Sequence, residues 1–247
     1  MATYELRALS LGEILDDGFG LYREHFATLI AIAVVCTGLP TLLAIYVETG
    51  GGFRAHPGAA LIASLLRGVG GLFATAGTVW VISELYMGRD PAVGDALGLA
   101  FSRVWMLFVA GFAKYLVIGL GLLLLIVPGV IAACGYAVVV PVVVLERLRS
   151  GTDALGRSWI LTKGYKGKAF RLGLAIFALI YLPFLAAGVL TGIFNGSETV
   201  VNVGAELLSF LVYPFMAAVV TLFYYDLRIR QEAFDLEHLS QHLDAAR

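Results

Sequence analysis

The sequence predicts an all-α polytopic membrane helix bundle, with six transmembrane helices and additional cytoplasmic amphipathic helices. Three observations predict it: the composition, six long apolar stretches and an uneven distribution of positive charge. Of 247 residues, 60% are hydrophobic and 14% are charged, and the mean hydropathy is +0.88. Soluble domains carry about 25% charged residues. This composition excludes a soluble domain, and the net charge of -1 gives no indication of a nucleic-acid partner.

The apolar stretches define a single integral membrane domain. One membrane helix needs about 20 apolar residues. The candidate stretches cover residues 26–47, 59–87, 105–127, 130–146, 170–189 and 199–225. Between the third and the fourth, Pro128 and Gly129 predict a tight turn, because proline ends a helix and glycine turns freely. The chain therefore divides into an amphipathic segment (1–25), a six-span bundle (26–225) and a tail helix (226–247).

Three amphipathic helices are predicted outside the apolar stretches. The first covers residues 11–26, where apolar residues recur at helical spacing, and it lies on the membrane or packs beneath the bundle. Side chains that accept hydrogen bonds from the first turn favour helix starts. The expected caps are Ser10 with Glu13, Asp90, and Ser150 with Asp153.

A short sequence pattern recurs at the start of these helices. It reads GEIL at residues 12–15, GDAL at 94–97 and TDAL at 152–155. Each copy opens an amphipathic helix that precedes a membrane hairpin. The pattern indicates a threefold repeat of one cytoplasmic helix plus one hairpin, and the alternative is chance similarity between short matches. A true repeat would form a layer of three cytoplasmic helices beneath six spans.

Positive charge predicts the orientation, since Lys and Arg are enriched on the cytoplasmic side. With the N-terminus inside, the cytoplasmic segments hold two such residues before the first span, two between the second and third, seven in residues 146–171 and three in the tail. These are 14 of the 17 in the chain. The sequence therefore predicts a multi-pass protein of the cytoplasmic membrane, with both termini in the cytoplasm.

Four charged residues fall in or near the predicted spans, where charges are costly and are usually paired or functional. They are Arg67, Glu84, Lys114 and Glu206. From their depth we expect the pairs Arg67–Glu206 and Lys114–Glu84. Structural pairing or snorkelling is one interpretation, and a substrate or proton path is the other.

The densest polar cluster follows the last span. Acidic side chains there are expected to dock on basic residues of segment 146–171, which would hold the cytoplasmic layer together. The alternative is a solvated helix whose arginines bind anionic headgroups. The residues concerned are Asp226, Arg228, Arg230 and Glu232 on the C-terminal side, and Arg157 and Lys163 in the segment.

No catalytic motif is visible in the sequence. GxSxG, HExxH, P-loop and GxGxxG patterns are lacking. His238 and His242 have the spacing of a shared metal site, but the polar face of an exposed helix is the preferred interpretation. Cys36 and Cys134 lie in apolar stretches and are expected to be packing residues. We expect no enzyme activity, metal or cofactor.

Three segments resemble a known family. They are LSLGEILDDGFGLYREHF, LLLLIVPGVIAACGYAVVVPVVVLE with the following ALGRSWILTKGYKGKAFR, and YYDLRIRQEAFDLEHL. Together they are similar to the bacterial glycerophosphoryl diester phosphodiesterase membrane-domain family, over roughly residues 9–240. The resemblance implies a multi-pass membrane protein. The catalytic barrel fused to this part in the eponymous enzymes has no room in this chain, so the resemblance does not carry over their activity.

Three function classes remain from the sequence. The first is a non-catalytic protein that scaffolds a membrane complex or organises lipid. The second is a transporter or channel for a lipid or a small solute, and a cavity reaching Lys114 or Glu206 would favour it. The third is an accessory protein or enzyme of membrane lipid metabolism. The expected partners are the lipid bilayer with its anionic headgroups, and a membrane-protein partner or a second copy of the chain.

Overall fold

A computed structural model of the protein describes residues 7–89, 91–193 and 198–232, which form eleven α-helices and no strand. In chain order these are α1 (Leu11–Glu24), α2 (Phe26–Thr49), α3 (Gly52–Ala55), α4 (Pro57–Tyr86), α5 (Val93–Ser102), α6 (Val104–Leu124), α7 (Ile126–Gly135), α8 (Val139–Leu145), α9 (Asp153–Leu161), α10 (Lys166–Ile193) and α11 (Glu198–Glu232). The order repeats three times: a short helix (α1, α5 or α9) is followed by a pair of long helical arms. The tail beyond Glu232, with His238 and His242, lies outside the described residues.

Five helical stretches of the described chain are long and apolar enough to cross a membrane. They are Phe26–Thr49, Pro57–Tyr86, Val104–Leu124, Ile126–Leu145 and Phe210–Glu232. They correspond to the predicted spans one to four and six, as a multi-pass membrane protein requires. Helix α10 covers the predicted fifth span as one continuous helix, and its crossing of the membrane stays a prediction.

The turn of the central hairpin lies three residues before the predicted position. Leu125 is extended, with φ -158° and ψ 140°, and separates α6 from α7. Pro128 lies within the first turn of α7, where its missing N–H removes no helical hydrogen bond. Gly129 serves close packing: a Cβ on Gly121 would lie 2.8 Å from the Cα of Gly129. The predicted turn at Pro128 and Gly129 was therefore wrong.

One of the three predicted caps is present at its helix start, and the hydrogen bonds of a second are present just before its helix. The Ser10 N–H donates to Glu13 at 2.7 Å, and the Glu13 N–H donates to Ser10 Oγ at 3.3 Å. Hydrogen bonds from the Arg7 side chain and from Ser10 hold the pKa of the Glu13 carboxyl at about 2. Ser150 and Asp153 exchange the same two bonds, at 3.0 and 3.3 Å. Helix α9 nevertheless begins only at Asp153, with Thr152 as its N-cap. Gly164, with φ 82°, lies three residues after the end of α9.

The third cap was placed wrongly. Helix α5 begins at Val93 with Ala92 in the N-cap position, whereas Asp90 lies outside the described residues. Ala92 therefore occupies in α5 the N-cap place that Ser10 has in α1, and Asp95 occupies the place of Glu13.

Replacing Ala92 with Ser is expected to stabilise the protein by about 0.5–1 kcal/mol, since an N-cap hydroxyl is worth about this much relative to alanine. Ala92 has the extended conformation of an N-cap, with φ -80° and ψ 147°, and is exposed. The new Oγ would accept from the Asp95 N–H, and the Asp95 carboxylate would accept from residue 92. The midpoint of thermal unfolding in detergent measures the gain. Ala92→Val, which has no acceptor, should not show it.

The buried core lies at one end of the bundle, which we call the base: the end that carries α1, α5 and α9. The largest fully buried side chains include Ile14 and Leu21 of α1, and Phe223 and Tyr224 of α11. Helix α1 thus packs against α11, and a Cβ on Gly18 would lie 2.9 Å from Val219. Toward the other end, which we call the far half, large apolar side chains of α4, α6, α10 and α11 are exposed; examples are Leu65, Leu123, Leu185 and Val200.

Candidate functional site

An ion pair joins two long helices in the far half. The Arg67 guanidinium of α4 donates to the Glu206 carboxylate of α11, which is the pair expected from the sequence. The Arg67 side chain is 30% exposed and that of Glu206 is 13% exposed. Arg67 lies within the candidate membrane span of α4, whereas Glu206 lies four residues before the candidate span of α11, which begins at Phe210.

A cleft of about 760 Å³ surrounds this ion pair, between α4, α10 and α11. Its walls are largely apolar, and its polar groups are those of Arg67, Glu206, Asn202, Tyr181 and Tyr213. Binding sites for small molecules commonly have this size and this mixture of apolar walls with a few polar groups. The ion pair was predicted from the sequence, whereas the cleft was not.

Helices α4 and α11 contact each other at one border of the cleft. A Cβ on Gly71 of α4 would lie 3.5 Å from the ring of Tyr213, which also lines the cleft. Arg67 precedes Gly71 by one helical turn, and Glu206 precedes Tyr213 by about two turns. The lining residues of α11 run from Val201 to Met216, a rise of about 22 Å along the helix.

One residue of the cleft also contacts a third long helix. Asn202, one turn before Glu206, donates from Nδ2 to Glu48 Oε2 at 3.2 Å, in an exposed position. Glu48 lies at the end of α2 and is not one of the residues that line the cleft. Among the lining residues, Arg67 supplies a positive charge and Glu206 a negative one.

The expected pair between Lys114 and Glu84 was wrong. Glu84 accepts two hydrogen bonds from Arg89, at 2.5 Å from Nε and 2.8 Å from Nη2. A short turn after α4, with Gly88 at φ 72°, returns Arg89 to Glu84. Because Arg89 lies only five residues from Glu84, their pairing costs little loop-closure entropy, and it is favoured over pairing with Lys114 on another helix. The Lys114 ammonium lies 5.7 Å from the Tyr115 ring centroid, and no ion pair joins it to any residue in the described ranges.

At the base, the carboxylate of Asp226 is fully buried and connects three parts of the chain. It accepts from Lys168 of α10 at 2.5 Å, from Arg230 at 2.8 Å and from the Leu9 N–H at 2.8 Å. The Leu9 carbonyl in turn accepts from Lys168 at 2.6 Å and from Arg230 at 2.9 Å. Asp226 thus contacts segment 146–171 as the docking hypothesis requires, through Lys168.

A second network joins α9, α11 and the end of α8. Arg157 donates to Glu146 at 2.7 Å and pairs with Glu232 at 2.5 Å. Burial lowers the pKa of Arg157, but the hydrogen bonds to Glu146 and Glu232 outweigh it, so the pKa stays above its ordinary value. Arg228 donates to Glu232 at 2.9 Å, and the Tyr224 hydroxyl donates to Glu146 at 3.0 Å.

Lys163 takes part through its backbone. Its carbonyl accepts from Gln231 Nε2 at 2.5 Å. The hypothesis that its ammonium docks on an acidic side chain has no ion pair to support it within the described residues.

The contact that holds α9 against the end of α7 was not predicted from the sequence. The Gly135 carbonyl, at the end of α7, accepts from Ser158 Oγ at 2.9 Å and from Thr162 Oγ1 at 3.1 Å. A Cβ on Gly135 would lie 2.3 Å from the Trp159 ring. The sequence signal for this contact is the pair of hydroxyl residues Ser158 and Thr162, which lie four positions apart. They satisfy a carbonyl that the break between α7 and α8 leaves without a helical partner.

The described residues contain no group of three or more His, Cys, Asp or Glu side chains placed to hold a metal ion. The comparisons with known proteins found no matching family model, no similar curated protein and no similar solved structure. The resemblance to the glycerophosphoryl diester phosphodiesterase membrane-domain family therefore stays a prediction.

Proposed function

We propose that this protein binds an amphipathic lipid in the cleft between α4, α10 and α11, and that it transports or retains this lipid in the membrane. The observation that carries the proposal is the Arg67–Glu206 pair inside a cleft with apolar walls. A headgroup fits beside the charges and acyl chains fit along the walls. The proposal includes the expected orientation, with the base in the cytoplasm.

The test is native mass spectrometry of the protein released from nanodiscs of native lipid. Ala205 and Gly204 are neighbours on α11, but only Ala205 lines the cleft, and a Cβ on Gly204 would meet nothing within 4 Å. We expect the unmodified protein to retain a stoichiometric lipid. Ala205→Trp fills the cleft and should reduce retention at least tenfold, whereas Gly204→Trp should leave it unchanged. Equal retention by both variants, or no retained lipid at all, contradicts the proposal.

Scaffolding of a membrane complex is the second candidate function. Its support is the base, where ion pairs join α9 and α10 to α11, and a hydrogen bond from Leu9, just before α1, reaches Asp226 of α11. We rank it second because many charged side chains of this layer already form ion pairs within the chain. The same spectra distinguish the two functions: a bare bundle that co-migrates with another protein in a defined ratio would favour the scaffold.

A further inference from the structure

The charges at the cleft indicate the chemical class of headgroup. We propose, resting on the lipid-binding function above, that the ligand is a phospholipid with a primary ammonium group, such as phosphatidylethanolamine. Its phosphate would bind Arg67 and its ammonium would bind the carboxylate of Glu206. Three features support this assignment: the arrangement of charge, the hydrogen-bonding capacity of each group and the apolar walls.

The arrangement of charge matches a zwitterion. Arg67 and Glu206 project from different helices and are joined side chain to side chain, so a ligand can enter between them without breaking either helix. A headgroup with one anionic and one cationic group replaces both halves of the pair. A purely anionic headgroup bound to Arg67 would bring a second negative charge next to Glu206 in a largely apolar cleft, which is costly.

Hydrogen-bonding capacity distinguishes between zwitterions. A guanidinium presents paired N–H donors that match a phosphate. A primary ammonium has three N–H donors, and the carboxylate of Glu206 is an acceptor. The quaternary ammonium of phosphatidylcholine has no N–H and could not donate to this carboxylate. Sites built around hydrogen bonds discriminate strongly against ligands that lack the donor.

The walls favour a lipid over a small zwitterionic solute. Phe177, Leu182 and Leu185 of α10 and Val212 and Met216 of α11 line the cleft. An amino acid or a free phosphoethanolamine would leave these side chains without an apolar partner. Acyl chains cover them.

The experiment uses nanodiscs with equal amounts of phosphatidylethanolamine, phosphatidylcholine and phosphatidylglycerol, followed by native mass spectrometry. We expect the full-length protein to retain the ethanolamine lipid at least tenfold over each of the others. The single variant Glu206→Gln leaves Arg67 without this carboxylate, so the main test is the double variant Arg67→Gln/Glu206→Gln, which removes both charges together. It should lose the preference, to less than twofold. Glu84→Gln, whose carboxylate pairs with Arg89 outside the cleft, is the control and should keep it.

Two outcomes would overturn this inference. One is equal retention of the three lipids by the unmodified protein. The other is an ethanolamine preference that survives in the double variant. If a lipid is retained without preference, and Ala205→Trp still blocks it, lipid binding stands and only the headgroup assignment fails. If Ala205→Trp has no effect, the lipid-binding proposal itself fails.

Discussion

Asp226→Ala is expected to destabilise the protein by about 3–5 kcal/mol, the cost of removing one partner of a buried ion pair. The Asp226 side chain is 0% exposed and accepts from two cations and one backbone N–H. Without it, the Lys168 ammonium, 12% exposed, and the Arg230 guanidinium, 29% exposed, face each other without a shared carboxylate. The Leu9 N–H also loses its acceptor. All these costs fall on the folded state alone.

The measurement is the free energy of unfolding in mixed detergent micelles, with the midpoint of thermal unfolding as a second readout. Asp16→Ala is the matched control. Asp16 also carries a carboxylate at the base but is exposed, and we expect its loss to change stability by less than about 0.5 kcal/mol. If both substitutions have the same small effect, the Asp226 network stabilises the folded protein no more than an exposed carboxylate does.

A charge swap between Asp226 and Lys168 should not restore stability. In a simple two-residue ion pair, Asp226→Lys combined with Lys168→Asp would recreate the attraction. Here the new lysine would lie against Arg230, which donates to residue 226 at 2.8 Å, and the Leu9 N–H would face a donor. Full recovery by the swap would show that Arg230 and Leu9 are minor partners.

The helices could be predicted from the sequence because their causes are local. Long apolar runs require helices in a membrane, since every backbone polar group must be satisfied within the segment. The Ser10–Glu13 cap and the Ser150–Asp153 hydrogen bonds depend on residues three positions apart, and both sets of bonds are present, although α9 itself begins only at Asp153. The turn at Leu125 was missed because proline is compatible with the first turn of α7, and nothing at Leu125 itself indicates a break.

The tertiary contacts were only partly predictable. No oppositely charged residue lies within five sequence positions of Arg67 or Glu206, so their similar depth sufficed to predict their pairing. Glu84 has Arg89 five residues away, and this local partner was overlooked. The Leu9 N–H that binds Asp226 carries no sequence signal at all, since every residue but proline has such a group. The cleft depends on how far α10 lies from α4 and α11, which no local pattern specifies.

Gly70→Ala is expected to destabilise the protein by about 1–3 kcal/mol, the usual cost of overpacking, and Gly70→Val by more. A Cβ on Gly70 of α4 would lie 2.4 Å from the Cys36 carbonyl oxygen of α2 and 3.3 Å from Thr37 Cγ2. The nearest atom belongs to backbone, so it cannot move aside as a flexible side chain would. The two helices must separate, and the contacts of their small-residue ridge, which includes Ala74 and Thr78, are lost with them.

Gly68→Ala provides the matched control, because Gly68 lies on the same helix and a Cβ there would meet nothing within 4 Å. Both substitutions gain the same helix propensity, up to about 1 kcal/mol for glycine to alanine. We therefore expect opposite signs in the free energy of unfolding: Gly68→Ala stabilises and Gly70→Ala destabilises. The difference between them isolates the α2–α4 contact from every effect of propensity, membrane environment and detergent. Equal effects at the two positions would mean that α2 and α4 do not approach each other this closely.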